Sequence, residues 1–320
     1  MNWMHPQISV ITPTLRRPHE VRDLLTNLAG QNHLPLELIL VDGAPAGDDD
    51  TQKVIEQASP NLPFAIRYIR RGGGTAVQRN IGIDAARGEF IAFVDDDIRL
   101  APDFFALMLA AFEGDTEKKV GGITGYITNQ QLDAATSRRW IWYRRLGLFT
   151  TYESGRFDYQ SGYTINRYLQ PPHETLKPID FMGAGCAVWR AVVFQGGLRF
   201  SIFFTGFGVL EDAQMSLRAR RTWQLLEHGR AHCLHLHSSG GREDDARVAR
   251  KTAINARYLF ITIVPNRSIT QELRFWRVQA VQWLIYFSAF LRQPGKKTVA
   301  GLWGKTLGIL QAFFLSATPQ

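Results

Sequence analysis

Three consecutive carboxylates, Asp95, Asp96 and Asp97, are the residues in this sequence that most directly suggest chemistry. They follow five apolar residues at 90–94, an unbroken run that predicts a strand buried on both faces. Like charges at this spacing repel, so the triplet is either a solvated loop or a place where a cation binds among the oxygens. Hard divalent ions such as Mg²⁺ take carboxylate ligands together with substrate phosphates. The elements that precede the triplet decide between these two interpretations.

The chain before the triplet alternates between predicted strands and predicted helices. The strands cover residues 8–11, 36–41 and 64–69, and the helices cover residues 18–30, 51–58 and 75–87. Alternation at this spacing predicts an α/β fold with a mainly parallel sheet and helices on both faces. Right-handed crossovers place the strand-to-helix loops along one edge of such a sheet, where ligands bind. That edge carries the triplet, so we favour the cation-binding interpretation.

A second pair of acids, Glu211 and Asp212, comes directly before a predicted helix. Acids there are favourable because of the helix dipole, and they can also serve in acid–base catalysis. Further on, His232, His235 and His237 belong to a predicted strand over 231–237 and are expected to share one face. Histidines grouped in this way are either metal ligands or ordinary core and surface residues. The sequence alone leaves both pairs of interpretations open.

Composition sets the class of protein. The chain has 320 residues, of which 45% are hydrophobic, enough for a sizeable core. Its two cysteines, far apart in sequence, form neither a disulfide framework nor a zinc pattern, so a reducing compartment is expected. The first residues lack the basic and apolar regions of an export signal, so we predict a cytoplasmic protein.

The positive charge is concentrated at the C-terminal end. Residues 250–320 hold ten Lys and Arg against one acid, Glu272, although the whole chain has a net charge of only +8. Helices are predicted at 252–263, 270–291 and 298–315, and the uncharged stretch 278–291 would span about 21 Å, short of a bilayer core of about 30 Å. Basic, Trp-rich amphipathic helices fit a membrane surface. The alternatives are packing on the rest of the chain, a dimer contact or a spanning hairpin.

Six short motifs occur in one order along residues 8–240, and together they resemble the family 2 glycosyltransferases of the GT-A fold. The motifs are Val10-Ile11-Thr12-Pro13-Thr14, Leu40-Val41-Asp42-Gly43, Arg79-Asn80-Ile81-Gly82 with Ala86-Arg87-Gly88-Glu89-Phe90-Ile91, Phe93-Val94-Asp95-Asp96-Asp97, Gly183-Ala184-Gly185 with Trp189-Arg190, and Glu211-Asp212. The resemblance implies a Rossmann-like nucleotide-binding sheet and inverting transfer of a sugar from a nucleotide diphosphate sugar to an acceptor hydroxyl.

The resemblance also implies roles for individual residues. On the donor side it places Thr12, Pro13, Thr14, Asp42, Arg79, Asp95 and Asp96. For the metal, a divalent cation such as Mn²⁺ or Mg²⁺, it implies Asp97 and Asp95, with His235 or His237 as a further ligand. Asp212 would be the catalytic base and Glu211 would position the base or the acceptor, while Gly183 and Gly185 would lie on the acceptor side. Arg242 is a further acceptor-side candidate from the residues themselves, because the polar, glycine-rich stretch 238–245 could form a mobile lid from which this arginine reaches a phosphate; an ordinary loop is the alternative. For Arg79 a surface ion pair is the alternative.

These inferences predict a catalytic domain over residues 1–245, with a donor half over about 1–100 and an acceptor half over about 101–245. A basic helical extension over 246–320 would hold the protein on the inner face of the membrane. The expected partners are a nucleotide sugar and a saccharide or lipid-linked saccharide, with no nucleic acid. The alternatives are transfer to polyprenyl phosphate, a sugar nucleotidyltransferase, which leaves Glu211 and Asp212 unexplained, and a nucleic-acid binder, which does not need the acidic edge.

Overall fold

The computed structural model describes residues 6–130, 134–169, 171–183, 185–206, 208–238 and 244–316. The strands are β1 (Ile8–Thr14), β2 (Glu37–Asp42), β3 (Ala65–Arg70), β4 (Phe90–Val94), β5 (Ile98–Leu100), β6 (Val120–Ile127), β7 (Phe157–Asp158), β8 (Tyr163–Thr164), β9 (Leu176–Ile179), β10 (Cys186–Arg190) and β11 (Gln224–His235). The helices are α1 (Pro18–Ala29), α2 (Asp50–Ala58), α3 (Thr75–Ala85), α4 (Phe104–Glu113), α5 (Ala134–Arg145), α6 (Val192–Gln195), α7 (Glu211–Ala219), α8 (Asp245–Ile263), α9 (Ile269–Arg292) and α10 (Lys296–Phe313).

The chain forms two compact units. One consists of Met1–Gln131 with Gln170–Gly241, and the other of Leu132–Leu169 with Arg242–Gln320. The segment 132–169 thus packs in the same unit as the C-terminal helices. The functional division into a catalytic domain up to residue 245 and an extension after it stays a prediction.

The first unit is built on one mixed sheet, which confirms the predicted α/β fold. Its strand order is β3-β2-β1-β4-β10-β6-β11-β5, with β9 paired to β11. Strands β1 to β4 pair in parallel, whereas β10 runs antiparallel to both of its neighbours. The carboxyl ends of β1, β2 and β4 therefore lie at one edge, as the sequence predicts.

Helices α1 and α3 pack closely on this sheet and hold the carboxyl-end edge of its strands in place. Helix α1 buries Val21, Leu24 and Leu28. Helix α3 approaches β1 so closely that a Cβ at Gly82 would overlap the side chain of Ile11. Because a glycine is needed at this crossing, the position of α3, and hence of the residues near its start, is set by its contact with β1.

The second unit is mainly helical and also contains the short antiparallel pair of β7 and β8. Helices α8 to α10 correspond to the three predicted helices, and α8 begins earlier because the Asp244 side chain accepts a hydrogen bond from the Arg247 amide at 2.8 Å. Helices α10 and α8 pack closely against each other, so that a Cβ at Gly304 would overlap the carbonyl of Ala246. None of the described helices is both long enough and apolar enough to cross a bilayer.

Candidate active site

Two threonines at the end of β1 connect this strand to the loop that follows β4. Thr12 Oγ1 donates to the Val94 carbonyl at 2.7 Å, and Thr14 Oγ1 donates to Asp96 Oδ2 at 2.7 Å. Pro13 lies between them in the strand, and all three residues are buried. The predicted donor-side threonines therefore hold the acidic loop against the sheet edge.

Asp96 points into the protein. It is 2% exposed and receives hydrogen bonds from Thr14 and from Arg17 Nη1, the latter at 2.7 Å. Burial raises the pKa of Asp96 to about 6, although Arg17 and the Thr14 hydroxyl act in the opposite direction. Arg17 was not singled out from the sequence; its Nη2 also donates to the Ser238 carbonyl at 3.1 Å, so it joins three segments of the edge.

Asp97 lies beside His235. Asp97 Oδ1 is 3.3 Å from His235 Nε2, and Asp97 Oδ2 accepts a hydrogen bond from the Ser238 amide at 3.2 Å. Burial by itself would raise the pKa of Asp97, but His235 and the Arg17 charge hold that pKa below its usual range. In the same way the Asp97 carboxylate outweighs burial and raises the pKa of His235. Each side chain thus favours the charged form of the other.

The three histidines of the predicted cluster do not share one face, so that expectation was wrong. His235 and His237 are neighbours, with ring centroids 3.8 Å apart, and Gln130 Nε2 is 2.9 Å from a nitrogen of each. His232 is exposed and lies near the Tyr126 ring instead. The offset of three residues between His232 and His235 places them on opposite faces of β11, because side chains alternate along a strand.

Two side chains at this edge of the sheet, Asp97 and His235, could bind a metal ion. Within the described ranges, no group of three His, Cys, Asp or Glu residues could hold a metal ion by itself. Asp97 and His235 supply one carboxylate and one imidazole at 3.3 Å, a donor set that suits Mn²⁺ when phosphate and water oxygens provide the remaining ligands. The residues therefore fit a cation that binds together with a diphosphate.

Arg79 forms a buried bridge between the two acid clusters. It is 4% exposed, its Nη2 is 2.8 Å from Asp95 Oδ1, and its Nη1 is 2.9 Å from Glu211 Oε1. Burial alone would lower the pKa of Arg79, but Asp95 and Glu211 together raise it. The alternative of a surface ion pair is therefore wrong. A contact of Arg79 with the donor stays a prediction, since both of its terminal nitrogens already serve carboxylates.

Glu211 and Asp212 begin helix α7 but differ in environment. Glu211 is buried and also accepts from Thr75 Oγ1 at 3.2 Å, whereas Asp212 is half-buried. The preceding residue, Leu210, has a φ of 71°, a left-handed conformation that is costly for a branched side chain. This bend turns Glu211 towards Arg79 and leaves Asp212 as the more accessible carboxylate.

Gly183 and Gly185 lie next to the two accessible carboxylates. A Cβ at Gly183 would be 3.6 Å from Asp212 Oδ2, and a Cβ at Gly185 would be 3.1 Å from Asp95 Oδ2. The Gly185 carbonyl also accepts from the Asp95 amide at 3.2 Å. Gly183 therefore lies beside Asp212, and Gly185 lies beside Asp95. Arg242, the third predicted acceptor-side residue, lies outside the described residues.

Asp42 is enclosed within the protein. It is fully buried, its Oδ1 accepts from the Ala44 amide at 2.9 Å, and its Oδ2 accepts from the Tyr68 hydroxyl at 2.9 Å. Gln78 Nε2 donates to the carbonyls of Thr14 and Val41 at 2.9 and 2.8 Å and so joins the ends of β1 and β2. The sequence analysis did not identify Tyr68 or Gln78. The predicted neighbouring positions of β2 and β3 could have indicated that Tyr68 lies near Asp42.

The chain is similar in sequence and in fold to known proteins. The family model described as "Glycosyl transferase family 2" matches residues 9–169. The putative teichuronic acid biosynthesis glycosyltransferase TuaG of Bacillus subtilis is 30% identical over 103 residues, which are 32% of this chain and 40% of that protein. The GalNAc(5)-diNAcBac-PP-undecaprenol beta-1,3-glucosyltransferase of Campylobacter jejuni is 32% identical over 113 residues, 34% of this chain and 36% of that protein.

Among solved structures, the mannosyltransferase PcManGT from Pyrobaculum calidifontis, in complex with GDP-Man and Mn²⁺, has a similar fold. The TM-score is 0.58 at 13% sequence identity, over 97% of this chain and 87% of that one. At this identity the likeness concerns the fold alone. The chain spans well under two thirds of the length of the two curated relatives described above.

Proposed function

Because this chain belongs to glycosyl transferase family 2, we propose that it is an inverting glycosyltransferase that moves a sugar from a nucleotide diphosphate sugar to a saccharide hydroxyl. The observation that carries the proposal is that two carboxylates lie beside two glycines close together in sequence, Asp212 beside Gly183 and Asp95 beside Gly185. Asp95 comes from the nucleotide edge and Asp212 from the start of α7. A donor bound at Asp95 and an acceptor bound at Asp212 would meet near these glycines.

On the donor side, the residues of the edge bind and orient the nucleotide sugar. Asp42, held by Tyr68 and the Ala44 amide, would serve the base and ribose side, and Asp95 would serve the ribose. Asp97 and His235 would hold the divalent cation, Mn²⁺ or Mg²⁺, which when bound neutralises the charge that develops on the leaving diphosphate. Arg17 keeps Asp97 and segment 236–238 in place for that task.

On the acceptor side, Asp212 takes the proton. The acceptor oxygen forms a bond to the anomeric carbon from the face opposite the diphosphate, the bond from that carbon to the diphosphate breaks, and the hydroxyl proton passes to the Asp212 carboxylate. Glu211, anchored by Arg79, fixes the first turn of α7 and so the direction of Asp212. Gly183 leaves the carboxylate accessible, since its missing side chain would approach Asp212 Oδ2 to 3.6 Å.

We infer that the acceptor is a saccharide, free or lipid-linked, in the assembly of a cell-surface polysaccharide or glycolipid. The relatives support this inference: one is described as acting in teichuronic acid biosynthesis and another as a glucosyltransferase on a PP-undecaprenol saccharide. Direct transfer to polyprenyl phosphate is the second candidate. Release of pyrophosphate instead of a nucleoside diphosphate would identify a nucleotidyltransferase and contradict both.

The C-terminal helices support a place at the inner face of the membrane. Helices α9 and α10 expose large apolar side chains, including Leu284, Trp303 and Leu310, and they border an apolar groove of about 440 Å³. Residues 250–320 carry ten basic side chains and one acid, Glu272, which is bound by arginines within the unit. Such a surface suits anionic lipid.

The experiment that tests the proposed site is thermal stabilisation by UDP, GDP, dTDP and CDP, each with and without Mn²⁺. A ligand that binds only the native state raises its apparent stability by mass action, so one nucleotide should give a metal-dependent shift. Asp97→Asn should lose the metal-dependent part of the shift, while Asp212→Asn should keep it and lose sugar transfer. The absence of any shift, or a normal one in Asp97→Asn, would contradict the assignment.

A further inference from the structure

Helix α5 has one face buried in its own unit and the opposite face exposed. Trp140 and Tyr143 are buried in a cluster that includes Phe149 and Val278. Between and after them, Ile141, Trp142 and Leu146 are 50%, 58% and 53% exposed. The buried aromatic residues thus fix the helix and hold three large apolar side chains in water.

Arginines surround these apolar side chains. Arg138, Arg139, Arg144 and Arg145 are all exposed, and α5 contains no acidic residue. The Arg145 guanidinium lies 5.3 Å from the centre of the Trp142 ring. This pair combines a large apolar ring with a cationic group. Such a combination is typical of side chains at a membrane interface.

Other binding partners would match either the arginines or the apolar side chains of this surface, but not both. A polyanion such as nucleic acid or an acidic polysaccharide would pair with the arginines but leave Ile141 and Leu146 in water. An apolar groove of another protein would bury Trp142 but desolvate four arginine charges at a cost. An anionic bilayer accepts both, because its phosphates lie directly above its hydrocarbon.

We propose that α5 is a membrane-binding helix, which places Ile141, Trp142 and Leu146 at the boundary between headgroups and acyl chains and pairs its four arginines with anionic phospholipid. This contact uses other residues than the exposed side chains of α9 and α10, and it does not depend on the chemistry of sugar transfer. It gives α5 a function of its own, namely to add a further membrane contact to the second unit.

The proposal is tested with the full chain and extruded vesicles of phosphatidylcholine with or without 30% phosphatidylglycerol. The double variant Arg144→Gln/Arg145→Gln should bind the anionic vesicles roughly 25-fold more weakly, at about fivefold for each basic residue near an anionic surface. Ile141→Ser/Leu146→Ser should weaken binding by about tenfold or more, because two apolar side chains lose their burial. The matched controls are Arg16→Gln and Ile202→Ser, which alter exposed residues of the first unit and should not change binding.

Brominated lipid tests the contact itself. Wild-type emission should be quenched more than that of Trp142→Phe, and the difference should persist in Leu284→Ser/Leu310→Ser, in which the surface of α9 and α10 is changed. Circular dichroism and the melting temperature check that each variant folds. Unchanged vesicle affinity of both α5 variants, or equal quenching with and without Trp142, would overturn the proposal. Loss of binding to an acidic polysaccharide, with vesicle binding intact, would overturn it in favour of a saccharide surface.

Discussion

The bridge formed by Arg79 predicts a large loss of stability when this arginine is removed. In Arg79→Met, the Thr75 hydroxyl is the hydrogen-bond partner that remains to the Glu211 carboxylate among the described residues, and the Glu211 side chain is 6% exposed. Removing one partner of a buried ion pair typically costs about 3–5 kcal/mol, because a buried charge is left without compensation. Asp95, whose side chain is 31% exposed, can recruit water and adds little to this cost.

The matched control is Arg16→Met. Arg16 also pairs with an aspartate, Asp48, at 2.8 Å, but its side chain is 63% exposed, so its loss should cost no more than about 1 kcal/mol. A second variant, Arg79→Met/Glu211→Gln, removes the stranded charge and should recover at least half of the lost stability. Only a coupled pair gives this pattern in a double-mutant cycle.

The assay is urea unfolding combined with hydrogen exchange in peptides from α3 and α7, which report on the first unit. Arg79→Met should lose protection in both peptides, and the double variant should regain it. A loss of stability no larger than that of Arg16→Met would refute the bridge, as would a double variant that is less stable than Arg79→Met.

Three further predictions concern other parts of the chain. Gly82→Ala should destabilise the protein by about 1–3 kcal/mol through overlap with Ile11, whereas Gly30→Ala, whose nearest neighbours are at 3.7 Å, should change stability by less than about 0.5 kcal/mol; equal melting temperatures would contradict the close packing. Burial lowers the pKa of Lys305 from 10.5 to about 8, so the unfolded chain binds more protons between these values and wild-type stability should rise with pH across that window by about 3 kcal/mol. Lys305→Met should flatten this rise in urea titrations at pH 8 and 10.5, and an unaltered slope would exclude the buried amine as its source. Arg17→Gln should bind Mn²⁺ with nucleotide about tenfold more weakly by calorimetry, and wild-type affinity would show that Arg17 does not position Asp97.

The strands and helices of the nucleotide edge follow from the sequence because their signals are local. Each early strand is a short run dominated by apolar residues, unbroken only in β4, and helices have recognisable starts, such as Pro18, or stops, such as Gly30. The main difference is that β1 continues to Thr14. Thr12 to Thr14 resemble a loop locally, yet they pair with β2 as far as Asp42.

The arrangement of the later strands and the partners of the site residues could not be predicted. Strand β10 lies between β4 and β6, and this position depends on contacts with strands that are far away in sequence. Arg17 and Asp96 are separated by 79 positions, and Arg79 and Glu211 by 132. No periodicity connects such residues, so the sequence predicts which acids matter but not which basic side chains hold them.

The central claim is that the sugar is transferred with inversion and that Asp212 is the base. The direct measurement is ¹H NMR of the product first formed from an α-linked donor carrying the nucleotide that stabilises the protein. With water as acceptor this product is the free sugar, and with a saccharide it is the new glycoside. The account predicts that the β anomer appears first and that Asp212→Asn binds the donor normally but releases no sugar. Initial release of the α anomer, or an undiminished rate in Asp212→Asn, would contradict it.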